Sequence, residues 1–291
     1  MIKLRRFHHA EDFLSLVGEA LYMDEMLNCL LLGIVERLTT QPDYFGSAPY
    51  LAVLSDGDAP VLAAAMTPPY GLLVAPLTED PEAAMPLLVQ DLVMGGWPLP
   101  DVQGQVPHSK KFAELWAART GGRFEIEMAQ RLYALHEVHA PADVHGKMIQ
   151  AGKEHSELIG RWLRGFDRDA FGGEVRTEEQ YQRAAGNRVA AGDWYLWLMD
   201  GEPVSMCLIT RPLKQGVSVT GVYTPPEYRR HGYASACVAA LSQKLLDDGF
   251  TYTTLFTDLA NPTSNSIYMK IGYQPVADFD KYKLILPEAA A

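Results

Sequence analysis

One stretch of the sequence gathers residue types that bind an anion without a metal. In VSVTGVYTPPEYRRHGYASACVAALSQKLL, a β-prone run ends at Tyr223, and Pro225 and Pro226 then turn the chain. A helix is expected from about Tyr233 to Asp247, opened by Arg229, Arg230, His231, Gly232, Tyr233 and Ala234. A helix N-terminus offers unpaired backbone N–H groups and the positive end of the helix dipole. The two arginines add charge, and Gly232 and Ala234 leave the backbone open to close approach. Such a turn suits a pyrophosphate. The segment fits neither GxxxxGK[ST] nor GxGxxG, so neither a P-loop nor a dinucleotide fingerprint is supported.

Other chemistries find less support. Cys29, Cys207 and Cys237 are odd in number, widely spaced and never in CxxC form, which gives no zinc or disulfide framework. Cys237 shares the face Ala234, Cys237, Val238, Leu241, Leu245 and reads as packing, as does Cys207 in the apolar run SMCLIT. His8, His9, His136 and His139 lack acidic or cysteine companions at ligand spacing, so no metal is expected. The absence of a G-x-S-x-G elbow argues against a serine hydrolase. Trp194, Tyr195 and Trp197 are expected to pack a sheet, with one of them able to line an acceptor site.

The elements that must position these residues come in two similar series. Residues 50–69 read YLAVLSDGDAPVLAAAMTPP and residues 194–212 read WYLWLMDGEPVSMCLITRP. In each, two β-prone runs flank Asp-Gly, at Asp56-Gly57 and Asp200-Gly201, a hairpin signal because a type I′ turn needs positive φ at both central positions. After the first come a strand (GLLVAP), a helix from about Pro81 to Met94, a strand near Asp101–Val106, a helix around Ser109–Arg119 and a strand ending in RLYAL. After the second come VSVTGVY, the Tyr233–Asp247 helix, the strand TYTTLFTD, a helix around Pro262–Lys270 and a strand in DKYKLIL. Trp116 stands where Tyr268 stands, and Tyr133 where Tyr282 stands. Helices are also expected around Glu11–Leu38, Lys153–Gly165 and Thr177–Ala191, the last capped by Thr177. The reading is an α+β chain of two divergent copies, at 1–140 and 141–291, with PADVHG as the linker.

At Arg229, Gly232 and Ala234, RRHGYA resembles the [RQ]-x-x-G-x-[GA] signature of the GNAT N-acetyltransferase superfamily. NPTSNSIYMKIGY resembles its second motif, matched at Asn261, Ser264, Tyr268, Lys270, Gly272 and Tyr273. The resemblance covers about 146–286. It implies two GNAT-like units, each a twisted, mainly antiparallel mixed sheet flanked by helices. It further implies acetyl-CoA as cosubstrate, in a cleft where the strand ending at Tyr223 splays from the strand ending near Thr257. The pyrophosphate would lie on backbone N–H groups from Arg230 to Ser235, with Asn261 and Ser264 as further contacts. Asn261 also reads as a cap for the helix that Pro262 begins. An amine would attack the thioester directly, a backbone N–H near Val222 or Tyr223 would hold the oxyanion, and Tyr268 would protonate the departing thiolate. The general base stays open among Glu174, Asp193, Glu202, Glu227, Asp258 and a water chain. The alternative is a non-catalytic acyl-CoA-binding or regulatory protein on the same scaffold.

In the first half, LTEDPEAAM replaces RRHGYA, so Glu79, Asp80 and Glu82 stand where the arginines would be, and this copy is expected to bind no coenzyme. The 291 residues suit two domains at about 150 residues each. With 48% hydrophobic and 21% charged residues and a mean hydropathy of −0.08, the composition is that of a soluble globular protein. A net charge of −11, from 25 Lys+Arg against 36 Asp+Glu, disfavours nucleic acid. No leader or membrane-spanning run is recognisable, so a cytoplasmic enzyme acting on a small-molecule or peptide amine is expected, with oligomeric state unassigned.

Overall fold

The computed structural model describes residues 1–173 and 175–287, without the side chain of Phe171. In chain order the elements are β1 (Ile2–Phe7), α1 (Ala10–Met23), α2 (Cys29–Thr40), β2 (Tyr50–Asp56), β3 (Ala59–Met66), β4 (Leu72–Pro76), α3 (Met85–Met94), β5 (Asp101–Gln105), α4 (His108–Thr120) and β6 (Arg123–Leu135). There follow β7 (Lys147–Gln150), α5 (Ser156–Phe171), α6 (Glu178–Ala190), β8 (Trp194–Met199), β9 (Glu202–Thr210), β10 (Gly216–Tyr223), α7 (Tyr233–Asp247), β11 (Tyr252–Asp258), α8 (Pro262–Lys270) and β12 (Gln274–Ile285). The α7 and α8 bounds coincide with those expected from sequence, and the helical segments expected around Glu11–Leu38 are two helices separated by residues 24–28.

The contacts divide the chain into two units. One comprises Met1–Leu132, Thr257–Asn261 and the segment from Pro275; the other comprises Tyr133–Phe256 and Pro262–Gln274. The first has strand order β1-β2-β3-β4-β5-β12-β6. Pairing is antiparallel from β1 to β4, parallel between β4 and β5, and antiparallel between β5 and β12. The last strand of the sequence thus finds its partner on β5, with Tyr282 opposite Val102. Tyr282 and Leu284 join Leu72, Val74, Phe112 and Trp116 in this unit's core.

The second unit has the order β11-β10-β9-β8-β7, antiparallel from β7 to β10 and parallel between β10 and β11. Side chains alternate across a strand, and β8 fills two cores by that rule. Tyr195 and Trp197 face the cluster built on α7, which holds Cys207, Cys237, Leu241, Tyr268 and Tyr273. Trp194 and Leu196 face the one built on α5 and α6, with Ile159, Trp162 and Ala185. Cys207 and Cys237 are both buried and packed, as their sequence context predicts. Both units are mixed, mostly antiparallel sheets flanked by helices, the α+β arrangement read from sequence.

Two turns separate local signals from tertiary outcome. Asp200 and Gly201 take φ of 50° and 91°, both positive as a type I′ hairpin requires. The first hairpin pairs Asp56 with Ala59, so its loop is Gly57-Asp58 and positive φ occurs at Gly57 alone. The two Asp-Gly pairs thus sit one position out of step in their turns.

Helices α5 and α6 are tied by a buried carboxylate. Asp167, 2% exposed, accepts from Arg176 Nη1 at 2.5 Å and from Tyr181 Oη at 2.9 Å. Burial and the Asp167 charge push the Tyr181 pKa up. A carboxylate so buried needs such partners. Between the helices, Thr177 caps α6. Its Oγ1 accepts from Gln180 N at 3.3 Å, and its N–H donates to Gln180 Oε1 at 2.8 Å, a reciprocal capping box. Replacing Thr177 by Ala is expected to lower stability by about 1 kcal/mol, read as a shifted urea midpoint. An unmoved midpoint would remove the cap from the account of this helix.

Candidate functional site

The site is built from the end of β10, the turn after it and the start of α7. Against β9, β10 pairs regularly to Thr220↔Leu208 and resumes at Tyr223↔Met206, so it carries one extra residue over that interval. That is a β-bulge, which bends its strand and strengthens the local twist. Gly221 sits inside it with φ of 60°, and a Cβ there would come within 2.9 Å of Trp194. On the other edge, β10 and β11 pair at Gly216↔Tyr252, Val217↔Thr253 and Ser218↔Thr254. Beyond those pairs β10 runs on to Tyr223 and β11 to Asp258, so the strands extend past their shared ladder where the sequence predicts a splay.

Past the bulge, Pro226–Tyr228 form a 3₁₀ turn, Arg230 takes φ of 67° and Gly232, the residue before α7, takes φ of 79°. The first backbone hydrogen bond into this helix is Ala236 N to Gly232 O at 3.0 Å. Among the described residues nothing accepts from the backbone N–H groups of Arg230, His231, Gly232, Tyr233, Ala234 or Ser235. Six consecutive donors are therefore left for solvent or a ligand, at the positive end of a fifteen-residue helix. Gly232 also meets Val144, whose Cγ2 would lie 2.9 Å from an added Cβ. The imidazole of His231 stacks on the Tyr233 ring, with centroids 5.5 Å apart.

The two arginines differ in their engagements. Arg230 is exposed and, among the described residues, has no ion-pair partner. Arg229 is committed within the protein: Nε donates to Thr224 O at 2.9 Å, Nη2 donates to Asp169 Oδ2 on α5, and its guanidinium lies 5.9 Å from the Tyr223 ring centroid. Burial, then the Asp169 charge, push the Tyr223 pKa up.

Tyr268 is buried in the α7 cluster, edge-on to Tyr273 at 6.0 Å, and Val222 packs against the same cluster. Burial pushes its pKa above the ordinary tyrosine value, and the neighbouring Tyr273 adds to the shift. Among the described residues its hydroxyl has no hydrogen-bond partner. Tyr273, pushed up to about 12 by burial, is held by Ser242 Oγ at 3.0 Å and Thr253 Oγ1 at 2.8 Å. Of the two phenols, Tyr268 is the one free to serve a ligand. Ser264 is half-buried on α8. Asn261 is exposed, donates from its N–H to Asp258 O at 3.0 Å, and by its contacts falls in the first unit.

The proposed bases scatter. Asp193 pairs with Arg188 at 2.8 Å, Glu202 and Glu227 are exposed, Asp258 accepts from Ala260 N at 2.8 Å, and Glu174 lies outside the described residues. Sequence reasoning missed Asp169 and Ser205. Ser205, fully buried on β9, donates to Tyr223 O at 3.2 Å and shares a 2.8 Å hydrogen bond with Thr224 Oγ1. Its only signal was a hydroxyl amid the apolar middle of the strand. Among the described residues there is no cluster of three or more metal-ligating side chains, and no helix long and apolar enough to cross a membrane.

The corresponding turn of the first unit pairs part of its backbone internally. The β3–β4 ladder runs without a shift from Leu62↔Pro76 to Met66↔Leu72. Before α3, Glu82 N donates to Asp80 Oδ1 at 3.3 Å and Ala84 N to Pro81 O at 3.0 Å, with the Glu82 carboxylate 3.4 Å from Lys111.

Residues 159–273 match the model of the Acetyltransferase (GNAT) family. No curated protein matches the chain in sequence. Among solved structures, the chain is similar to a GCN5-related N-acetyltransferase from Sphaerobacter thermophilus, at 15% identity and TM-score 0.65 over 100% of this chain and 98% of that one. It is also similar to a tandem GNAT protein from the clavulanic acid biosynthesis pathway, at 12% identity and TM-score 0.59 over 100% of both chains. A GNAT-family acetyltransferase from Colwellia psychrerythraea gives 11% identity and TM-score 0.59 over 98% of this chain and 100% of that one. At such identities the likeness speaks for the fold, and the family match speaks for the unit that carries the open turn. Residues 159–273 are therefore a domain of the GNAT acetyltransferase family, in a chain whose N-terminal half shares the GNAT-like fold.

Proposed function

We propose that the protein is an N-acyltransferase that moves an acetyl group from acetyl-CoA to a small-molecule or peptide amine in a ternary complex. The observation that carries this reading is the row of six unpaired N–H donors from Arg230 to Ser235, reached through a bulged strand. A pyrophosphate fits such a row: the donors converge from an αL–helix turn and the helix dipole favours its charge. The exposed Arg230 guanidinium adds a counter-charge. Acetyl-CoA supplies the acyl group as a thioester, already activated toward an amine.

The residues of this chain then divide the work. The edge of β10 beyond Ser218, past the end of its ladder with β11, orients the donor's arm by offering backbone groups. A backbone N–H at Val222 or Tyr223 donates to the carbonyl oxygen as it becomes an oxyanion, a role that rewards a fixed, pre-oriented dipole. Tyr268 Oη holds a proton for the departing sulfur. Its raised pKa keeps that proton in place through neutral pH, and the burial that raises it also makes a bare thiolate nearby unfavourable. No strong base is required if the amine arrives neutral and well placed. The first unit is assigned no coenzyme: its turn spends the N–H groups of Glu82 and Ala84 on its own acceptors and carries Glu79, Asp80 and Glu82.

An amine panel assayed for CoA release tests the activity, and silence across the panel despite coenzyme binding would overturn the transferase reading. Calorimetry with CoA and acetyl-CoA is expected to give one site per chain; no binding, or two sites, contradicts the assignment. Gly232→Ala must hold φ near +79°, which disfavours a side chain by about 1–2 kcal/mol, and is expected to weaken coenzyme binding by about tenfold. Tyr268→Phe is expected to cut kcat by about a hundredfold with unchanged coenzyme Kd, and unchanged turnover would remove Tyr268 from the mechanism.

A further inference from the structure

We infer that Arg229 is a positioning residue which, with Asp169 and Ser205, clamps the Tyr223–Thr224 segment and so fixes the N–H donor at the bulge, while Arg230 and the turn backbone meet the coenzyme phosphates. The inference rests on the acyl-transfer reading and assigns to Arg229 a different task from the one its place in the RRHGYA motif suggests. Two consecutive carbonyls are held from different sides. Tyr223 O accepts from the buried Ser205 Oγ at 3.2 Å, and Thr224 O accepts from Arg229 Nε at 2.9 Å. Thr224 Oγ1 is joined to Ser205 Oγ at 2.8 Å, which closes a loop around this segment.

The guanidinium is itself fixed. Its second edge donates to Asp169 Oδ2, and its face lies toward the Tyr223 ring. That ring packs on α5: it is 6.5 Å from Trp162, and a Cβ on Gly165 would run into its phenol. A planar fork that satisfies a carbonyl and a carboxylate at once is something guanidinium provides and ammonium does not. With Nε and Nη2 committed to Thr224 and Asp169, the Arg229 side chain is held to this segment rather than to the open donor row. The strand end is instead referenced to α5, so the donor that meets the thioester oxygen is set by a helix outside the coenzyme turn. Dipoles aimed at a developing charge lose their effect when misaimed by fractions of an ångström.

The test reads the donor directly and needs no acceptor. Isotope-edited infrared spectra of [1-13C]acetyl-CoA bound to the full-length protein report the strength of the hydrogen bond to the thioester carbonyl. In the wild type the carbonyl band is expected below its position in free acetyl-CoA. Asp169→Asn and Arg229→Gln are each expected to move it back toward the free position, by the same amount. The double variant should move it no further, and Kd for CoA by calorimetry should stay within about twofold. Arg229→Lys should behave like Arg229→Gln, which a role for charge alone would not produce. Circular dichroism guards against misfolding, and Ser205→Ala, removing the other holder, should shift the band in the same direction. A wild-type band position in Asp169→Asn overturns the clamp, as does a tenfold or greater loss of CoA affinity confined to Arg229→Gln, the mark of a phosphate ligand. If the wild-type protein fails to bind acetyl-CoA, the acyl-transfer reading itself falls and the clamp with it.

Discussion

A single surplus residue organises the second unit. Between Thr220 and Tyr223, β10 is one residue longer than the stretch of β9 it faces. Gly221 absorbs the mismatch at positive φ, close against Trp194. Had the ladder stayed regular, alternation would send Val222 and Tyr223 to the faces their spacing dictates and β10 would continue flat beside β11. The bulge instead adds twist where the parallel ladder stops at Ser218↔Thr254. Polar edges opened that way inside a protein call for partners. Ser205 and Arg229 supply them for the carbonyls of Tyr223 and Thr224. On the proposed acyl-transfer reading, the thioester arm of a coenzyme partners what remains.

Much of this could be read from the sequence because its signals are local. Helix α7 starts at Tyr233 because Gly232 precedes it at positive φ, and α8 starts at Pro262, a residue pre-set for the first turn. Thr177 marked the start of α6, and Trp194, Tyr195 and Trp197 marked a strand packed into a sheet, which proves buried on both faces. What escaped depends on distance in sequence. Nothing in DKYKLIL says that its partner is β5, because the alternation that makes it a strand fits any half-buried edge. Nor does the sequence link Asp169 to Arg229, or Asp167 to Arg176 and Tyr181; such pairs form once α5 is in place. The first hairpin shows a subtler limit. Asp-Gly announces a turn, but whether the loop begins at Asp or at Gly is settled by the register of the strands it joins.

The charge follows the same logic. A net −11 is an average over two units that treat one structural position in opposite ways. At the start of α3, Asp80 and Pro81 accept from the N–H groups of Glu82 and Ala84; at the start of α7, arginines flank donors that no acceptor among the described residues meets. An uncapped helix start forgoes about 1 kcal/mol that a Ser, Thr or Asp would contribute. Here Gly232 occupies the capping position and provides no side-chain acceptor. Arg230, His231 and Gly232 are exposed, so solvent reaches these donors and an arriving anion would replace it. On the proposed reading, the roughly 1 kcal/mol forgone at the uncapped terminus is what keeps its donors open to an anion. In the first unit the same helix start has already spent the N–H groups of Glu82 and Ala84 on Asp80 and Pro81.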